Sequence, residues 1–173
     1  MKNDIKSLFA QRVGDFRLPR YSELPRVGLY LEQVTKYVNG ILAPLGIAEL
    51  TSSMISNYVK KGVVDSPVKK QYFPEHLAYI LFVGVGKSVM AIDDISYIYS
   101  LQKSIYSCST AYDYFCDEFE NMLRYTAGLK ETVDSVGVTD TELKTALRSV
   151  IICVTNLLFV ECSLEEFKNR ENK

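Results

Sequence analysis

The sequence predicts a mainly α-helical protein, in which a winged helix-turn-helix with a small β-hairpin wing is followed by a C-terminal helical dimerisation region. Three observations predict this fold. Apolar residues recur at spacings of three and four in several segments, as they do in amphipathic helices. One such segment, Thr51 to Lys60, has an entirely polar opposite face. Lysines cluster soon after it, around a turn that contains proline.

The composition is that of an ordinary globular chain with unevenly distributed charge. Its 173 residues are 47% hydrophobic and 24% charged, and this length suits one compact domain or two small ones. The net charge of −1 excludes a protein that coats nucleic acid through an overall positive charge. Residues 1–50 carry 7 basic and 5 acidic side chains, residues 51–75 carry 4 and 2, and residues 76–173 carry 9 and 14. A surface for a polyanion is therefore expected before about Tyr72.

The first predicted elements are an N-terminal arm over residues 1–28 and a helix from Leu29 to Leu42. Pro19 and Pro25 break helical periodicity in the arm and favour an extended chain. The helix has one apolar stripe, and Pro44 follows its end.

The next segment, Thr51 to Lys60, is predicted to be a recognition helix. Hydroxyl residues suit its N-cap, and Gly62 suits a left-handed C-cap. Val63 to Tyr72 is interpreted as two short extended pieces around an Asp65-Ser66-Pro67 turn, which together form the small hairpin. The DNA-binding domain is predicted to cover residues 29–103. The packing side of the recognition helix is predicted to consist of Met54, Ile55, Tyr58 and Val59.

Helical patterns continue to the C-terminus. They cover Pro74 to about Val85, a segment that begins near Asp93, Thr110 to Ala127, and Asp140 to Asn169. The last of these is apolar nearly all round from Leu147 to Val160, which requires burial on several sides. Residues 104–173 are therefore predicted to pair two chains as a homodimer, and they are a candidate region for sensing an unidentified small-molecule effector.

The polar side of the recognition helix, with the lysines after it, predicts contact with double-stranded DNA. The major groove admits a helix whose short polar side chains reach base edges, and lysines bind phosphates. Asn57 can form two hydrogen bonds to adenine. The predicted DNA-binding residues are Ser52, Ser53, Ser56, Asn57, Lys60, Lys61, Lys69, Lys70 and Gln71.

Two family resemblances support this interpretation. The stretch from Leu50 to Leu101 resembles the DNA-binding half of MerR-type regulators, through Gly62-Val63-Val64 after the helix, an aromatic at Tyr72 and the sequence Ile92-Asp93-Asp94-Ile95. The segments LPRYSELP, LYLEQV, SMISNYVKKG, PVKKQY and EHLAYI, in that order, resemble the bacterial domain of unknown function 1836, the YkrK-like proteins. These resemblances imply a MerR-like transcriptional regulator whose recognition helix and wing lysines face DNA.

Other functions are not expected from the sequence. The single histidine, His76, has no ligand or nucleophile pattern around it, and Gly86-Lys87-Ser88 matches only the end of a phosphate-binding loop, so we expect no enzyme, metal or cofactor. The four cysteines form no CxxC pair and are interpreted as apolar core residues. We expect a cytoplasmic protein without a signal peptide or a membrane span, because the apolar stretches at Leu77 to Gly86 and Val150 to Val160 are short.

Two alternatives remain open at this stage. The acidic C-terminal half can serve a protein–protein interaction adaptor, and a small-molecule sensor that does not bind DNA is a third class. A set of aromatic residues fits either an effector pocket or simple helix packing. This set comprises Tyr97, Tyr99, Tyr106, Tyr112, Tyr114, Phe115, Phe119 and Tyr125.

Overall fold

The computed structural model describes residues 4–137 and 141–172, and in these residues the chain forms helices joined by short connections. Short 3-10 turns lie at Tyr21–Glu23 and Ala43–Leu45. The α-helices are α1 (Ile5–Val13), α2 (Leu31–Leu42), α3 (Ser52–Lys60), α4 (Pro74–Gly86), α5 (Ile92–Lys103), α6 (Cys108–Thr126) and α7 (Glu142–Glu171).

The prediction of a β-hairpin wing is wrong. The described residues contain no strand, and residues 63–72 take part in only two isolated bridges, Val68 with Gln71 and Leu29 with Tyr72. The N–H groups of Val63 and Val64 donate instead to the carbonyl of Tyr58 at the end of α3. The first arm of the expected hairpin is therefore used to cap a helix, and no ladder forms.

Helix α4 lies at the centre of the fold and has almost no exposed side. The sequence predicts this helix and an inward face with Leu77, Ile80 and Leu81, and these residues are buried. Ala78, Tyr79 and the residues of the last turn are buried as well, because α4 packs against α2, α5, α6 and α7. A helix that is apolar on all sides needs such a cover.

The N-terminal segment contains a helix, α1, where the sequence predicted an arm. Phe9 and Val13 are its only buried residues, so its apolar periodicity is weak. Phe9 packs edge-on against Phe159 of α7 at 5.5 Å between ring centroids, and Arg12 forms an ion pair with Glu165 at 2.7 Å. Contacts distant in sequence therefore hold this helix on α7.

The chain between α1 and α2 forms no α-helix and contains the 3-10 turn at Tyr21–Glu23, and a buried carboxylate attaches it to α6. Glu120 is 5% exposed, and it accepts hydrogen bonds from the backbone N–H of Leu18 at 2.9 Å and from the Arg20 guanidinium at 2.6 Å. Arg20 also pairs with Asp117 at 2.7 Å. The bond to Glu120 raises the pKa of Arg20, which stays charged at every accessible pH.

A second buried carboxylate joins α6 to α7. Glu118 is fully buried, and its oxygens accept bonds from the Arg148 guanidinium at 2.6 Å and from the Tyr114 hydroxyl at 2.8 Å. Both buried glutamates of α6 therefore have a cation within bonding distance, which a buried charge requires.

Helix α7 is less buried than the sequence predicted. Its predicted start at Thr139-Asp140 lies outside the described residues, and the helix begins at Glu142 with the Thr141 hydroxyl accepting the N–H of Lys144. The sequence predicted burial on several sides from Leu147 to Val160; Ile151, Val154 and Leu158 are buried, whereas Ile152 and Val160 are exposed. The exposed apolar positions are Ile152, Val160, Leu164 and Phe167.

By length and composition, α7 is sufficient to cross a membrane. It contains an 18-residue window of mean hydropathy 1.7, of which 28% is buried in the structure. The sequence-based expectation of no span considered only the shorter stretch from Val150 to Val160. Core helices of soluble proteins satisfy the same criterion, so this is weak evidence for a membrane.

The cysteines are only partly core residues. Cys116 and Cys162 are buried, Cys108 is half-buried, and Cys153 is exposed on α7. The interpretation of all four as core residues is therefore wrong for Cys153.

Replacing Arg20 with alanine is expected to lower the free energy of unfolding by about 3 kcal/mol, because Glu120 would stay buried without its principal cation. Arg17 provides the control, since its ion pair with Glu23 has both side chains about half exposed. Arg17→Ala should cost about 1 kcal/mol at most. Urea unfolding followed by circular dichroism measures both variants, and equal losses would contradict the role given to Arg20.

Candidate nucleic-acid interface

Helix α3 is held in place by its apolar face. Ile55 is fully buried, Tyr58 is 5% exposed, and Met54 and Val59 are partly buried against the core. The hydroxyl of Thr51 accepts the N–H of Met54 at 3.1 Å, which caps the helix as the sequence predicts.

The opposite face of α3 carries most of the predicted contact residues. Ser52 differs from the others, because it is half-buried and its hydroxyl lies 3.0 Å from that of Thr35 on α2. The polar face is therefore open to solvent from its second residue onward. The exposed members are Ser53, Ser56, Asn57, Lys60 and, at the C-cap, Lys61.

A side chain on α2 fixes the connection between the two helices. The Asn39 amide donates to the carbonyl of Leu50 at 2.8 Å, and its oxygen accepts the N–H of Leu50 at 2.9 Å. Leu50 is 2% exposed, so both of its backbone groups are satisfied by one side chain away from water. Together with the contact between Thr35 and Ser52, this pair sets the position of α3 on α2.

The end of α3 is closed by Gly62. This glycine has φ of 72°, a left-handed conformation that other residues adopt only at a cost. The reversal brings Val63 and Val64 into the core, at 3% and 1% exposure, beneath the C-terminus of α3. The predicted left-handed glycine is confirmed, whereas the apolar pair after it packs in the core instead of beginning a hairpin.

Lys69 and Lys70 form the centre of a tight two-residue turn. Val68 and Gln71 exchange both backbone hydrogen bonds, at 3.0 and 2.9 Å, and the two lysines have φ of 51° and 64°. Both lysine side chains are exposed, whereas Gln71 is half-buried. A Cβ on Gly28 would lie 2.8 Å from the Cβ of Gln71, so Gln71 contacts the backbone before α2.

The turn lies close to the N-terminal half of α2. Leu29 and Tyr72 exchange backbone hydrogen bonds at 2.9 and 2.8 Å. Leu29 lies two residues before α2 begins, and Thr35, which contacts Ser52 at the start of α3, lies in the first half of α2. The start of α3 is therefore attached to the first half of α2, and the lysine turn to the residues that lead into this helix.

His76 supports this arrangement and faces no ligand cluster. Its Nδ1 accepts the N–H of Phe73 at 3.0 Å, the position that Glu or Gln takes in a capping box, and its Nε2 lies 3.3 Å from the carbonyl of Ser66. The ring contacts Tyr72 edge-on at 5.6 Å. Among the described residues, no group of three or more His, Cys, Asp or Glu is placed to hold a metal.

The charges around α3 are predominantly positive. Lys60, Lys61, Lys69 and Lys70 form no salt bridge with any carboxylate in the described part of the chain. Glu49, three residues before α3, is exposed, whereas Asp65, the acidic residue nearest to these lysines in sequence, pairs with Lys103 at 2.7 Å. Its charge is therefore compensated by α5, and the four lysines remain accessible to an external anion.

Two contributions could not be predicted from the sequence. The clamp by Asn39 joins residues eleven positions apart, and nothing in the helix pattern distinguishes this asparagine from a solvent-exposed one. The second is the place of Arg26, which is exposed and lies two residues before Gly28, the residue that contacts Gln71. The sequence indicated this arginine only through the number of basic residues in the N-terminal segment.

Comparison with known protein families gives a match over the middle of the chain. The model of a family described as a domain of unknown function (DUF1836) matches residues 19–115, from the extended arm to the middle of α6. No curated protein and no solved structure matches the chain.

Asn39→Ala is expected to reduce the free energy of unfolding by about 2 kcal/mol, because it leaves the buried N–H and carbonyl of Leu50 unpaired. Asn57→Ala is the matched control: this asparagine is exposed on α3, and its loss should change stability by less than about 0.5 kcal/mol. Chemical unfolding measures both. A loss in Asn57→Ala as large as that in Asn39→Ala would mean that the outer face of α3 is structural.

Proposed function

The chain belongs to the domain of unknown function 1836 family, and we propose that this member is a sequence-specific DNA-binding transcriptional regulator. The observation that carries the proposal is the exposed polar face of α3 beside four lysines that have no carboxylate partner in the described residues. In this proposal α3 enters the major groove, and Asn57 and the serines contact base edges.

The lysines have a separate role in the proposal. Lys60 and Lys61 at the end of α3, and Lys69 and Lys70 in the tight turn, bind phosphates and fix the orientation of the protein. The resemblance to MerR-type regulators and to YkrK-like proteins supports the proposal through a shared order of elements. This order is a helix, a short break and a second helix with a polar face. Support from that likeness is limited to α2 and α3, since the described residues have no strand from which a wing could form.

Pairing of two chains through α7 completes the proposal. The 30-residue helix spans roughly 45 Å and leaves Val160, Leu164 and Phe167 exposed at spacings of four and three along one side. A second copy would cover this stripe, and a dimer presents two recognition helices to two half-sites.

The proposal is tested by selecting bound fragments from a random DNA pool and measuring binding to the selected sequence by fluorescence anisotropy at several salt concentrations. A regulator of this kind binds the selected sequence more tightly than scrambled DNA, and binding weakens steeply with salt. Absence of enrichment, together with capture of a protein partner by the acidic half, would favour the adaptor instead.

Asn57→Ala is expected to lose about 1 to 3 kcal/mol of discrimination between the selected and scrambled sequences, because it removes a direct base contact. The double variant Lys69→Gln/Lys70→Gln should weaken binding to both DNAs and reduce the slope of log affinity against log salt by up to about 0.9 for each phosphate that is no longer neutralised. Lys168→Gln, an exposed lysine near the end of α7, is the control and should change neither quantity. The same loss on both DNAs in Asn57→Ala would contradict base recognition by α3.

Leu164→Glu is expected to convert a dimer to a monomer, because it places a charge in the exposed apolar stripe of α7. Analytical ultracentrifugation measures the mass of the variant and of the unchanged chain. Asn169→Glu adds the same charge at an exposed position on another side of the helix and should leave the mass unchanged. A monomeric unchanged chain, or one that partitions into lipid vesicles, would contradict pairing through α7.

A further inference from the structure

A cavity of about 230 Å³ lies where α4, α5, α6 and the start of α7 meet. Each helix contributes to its wall: Tyr79 and Phe82 come from α4, Tyr99 from α5, Ala111 from α6, and Leu147 from α7. Five of the aromatic residues that the sequence singled out line it, whereas Phe119 belongs to the core and Tyr97 and Tyr125 are exposed.

The walls are apolar and their aromatic rings are ordered against each other. Tyr79 and Tyr99 stack with ring centroids 3.6 Å apart, and Phe82 meets Phe115 edge-on at 5.1 Å. Burial raises the pKa of Cys108 to about 11, so its thiol on the wall is neutral at physiological pH. An ion would lose most of its hydration here, and the one charged side chain named in the wall, Lys144, already lies over the Tyr114 ring at 4.8 Å from its centroid, so the site favours an uncharged ligand.

The size of the cavity distinguishes it from an ordinary packing defect. It is partly open to solvent, so a small molecule can enter it, whereas packing defects in close-packed interiors are small closed voids. Apolar cavities of roughly 150 Å³ stay free of water and accept benzene. The cavity, at about 230 Å³, is larger than these and is lined by aromatic side chains. It is therefore suited to one or two fused aromatic rings, which can stack on Tyr and Phe.

We propose that this cavity is a binding site for a small, neutral, flat aromatic compound. Stacking and edge contacts with the wall rings provide most of the affinity. The polar groups of the wall, among them the Gln102 amide, limit the ligand to few polar atoms. Tyr112 also forms part of the wall, and its hydroxyl interacts with the thiol of Cys116.

The site is tested with indole as the probe and the full chain as the protein. Isothermal titration calorimetry should show one saturable site per chain. Methyl resonances of Ile98 and Leu147, which line the cavity, should shift on titration, whereas those of Val13 and Val38, which are buried elsewhere, should not. Absence of saturable binding, or shifts spread equally over all four residues, would overturn the proposal.

Filling the cavity provides the mutational arm. Ala111→Phe places a ring inside it and is expected to weaken indole binding about ten-fold or more, a loss that the calorimetric dissociation constant reports directly. Ala146→Phe adds the same ring at an exposed position of α7 outside the cavity wall and should bind indole like the unchanged chain. Ala78→Leu fills the space from α4, and it replaces Ala111→Phe if circular dichroism shows that the latter does not fold. Unchanged affinity in a folded filling variant would overturn the assignment. DNA binding is not required for any of these outcomes, so they are independent of the role proposed for α3.

Discussion

The fold depends on the burial of α4. Apart from Glu75 in its first turn, this helix has almost no solvent-exposed side chain. Each neighbouring helix must therefore pack part of its own surface against it. The apolar sides of α2, α5, α6 and α7 all meet it. The position of α3 follows from the same constraint, because α3 packs on α2, and α2 is fixed by its contact with α4. The polar face of α3 is therefore exposed as a consequence of the way in which α2 covers α4.

Much of the helical architecture could be predicted from the sequence, because periodicity and caps are local signals. The cap at Thr51, the reversal at Gly62 and the start of α4 at Pro74 all lie where the sequence placed them. The β-hairpin was wrong for an equally physical reason. Val63 and Val64 are of a residue type that favours strands, but their N–H groups donate to the carbonyl of Tyr58. Sequence patterns do not show which acceptor a backbone N–H will use.

Long-range contacts account for the rest of what the sequence could not predict. Helix α1 has little amphipathic character and is held through Phe9 and Arg12 by a helix about 150 residues later. The acidic balance of the C-terminal half was interpreted as surface charge. Glu118 and Glu120 are instead buried, each paired with an arginine, and one of these arginines comes from the arm. Charge counted along a sequence therefore overstates the field that a partner would meet.

The backbone of the lysine turn has a consequence for re-engineering the protein. Adjacent left-handed residues favour Asn-Gly, and two lysines held there cost free energy that glycine would not. A chain selected only for thermal stability would replace these two lysines. The gain in stability would come with the loss of two exposed positive charges. Selection for heat resistance alone is therefore expected to replace Lys69 and Lys70 before it changes the buried core.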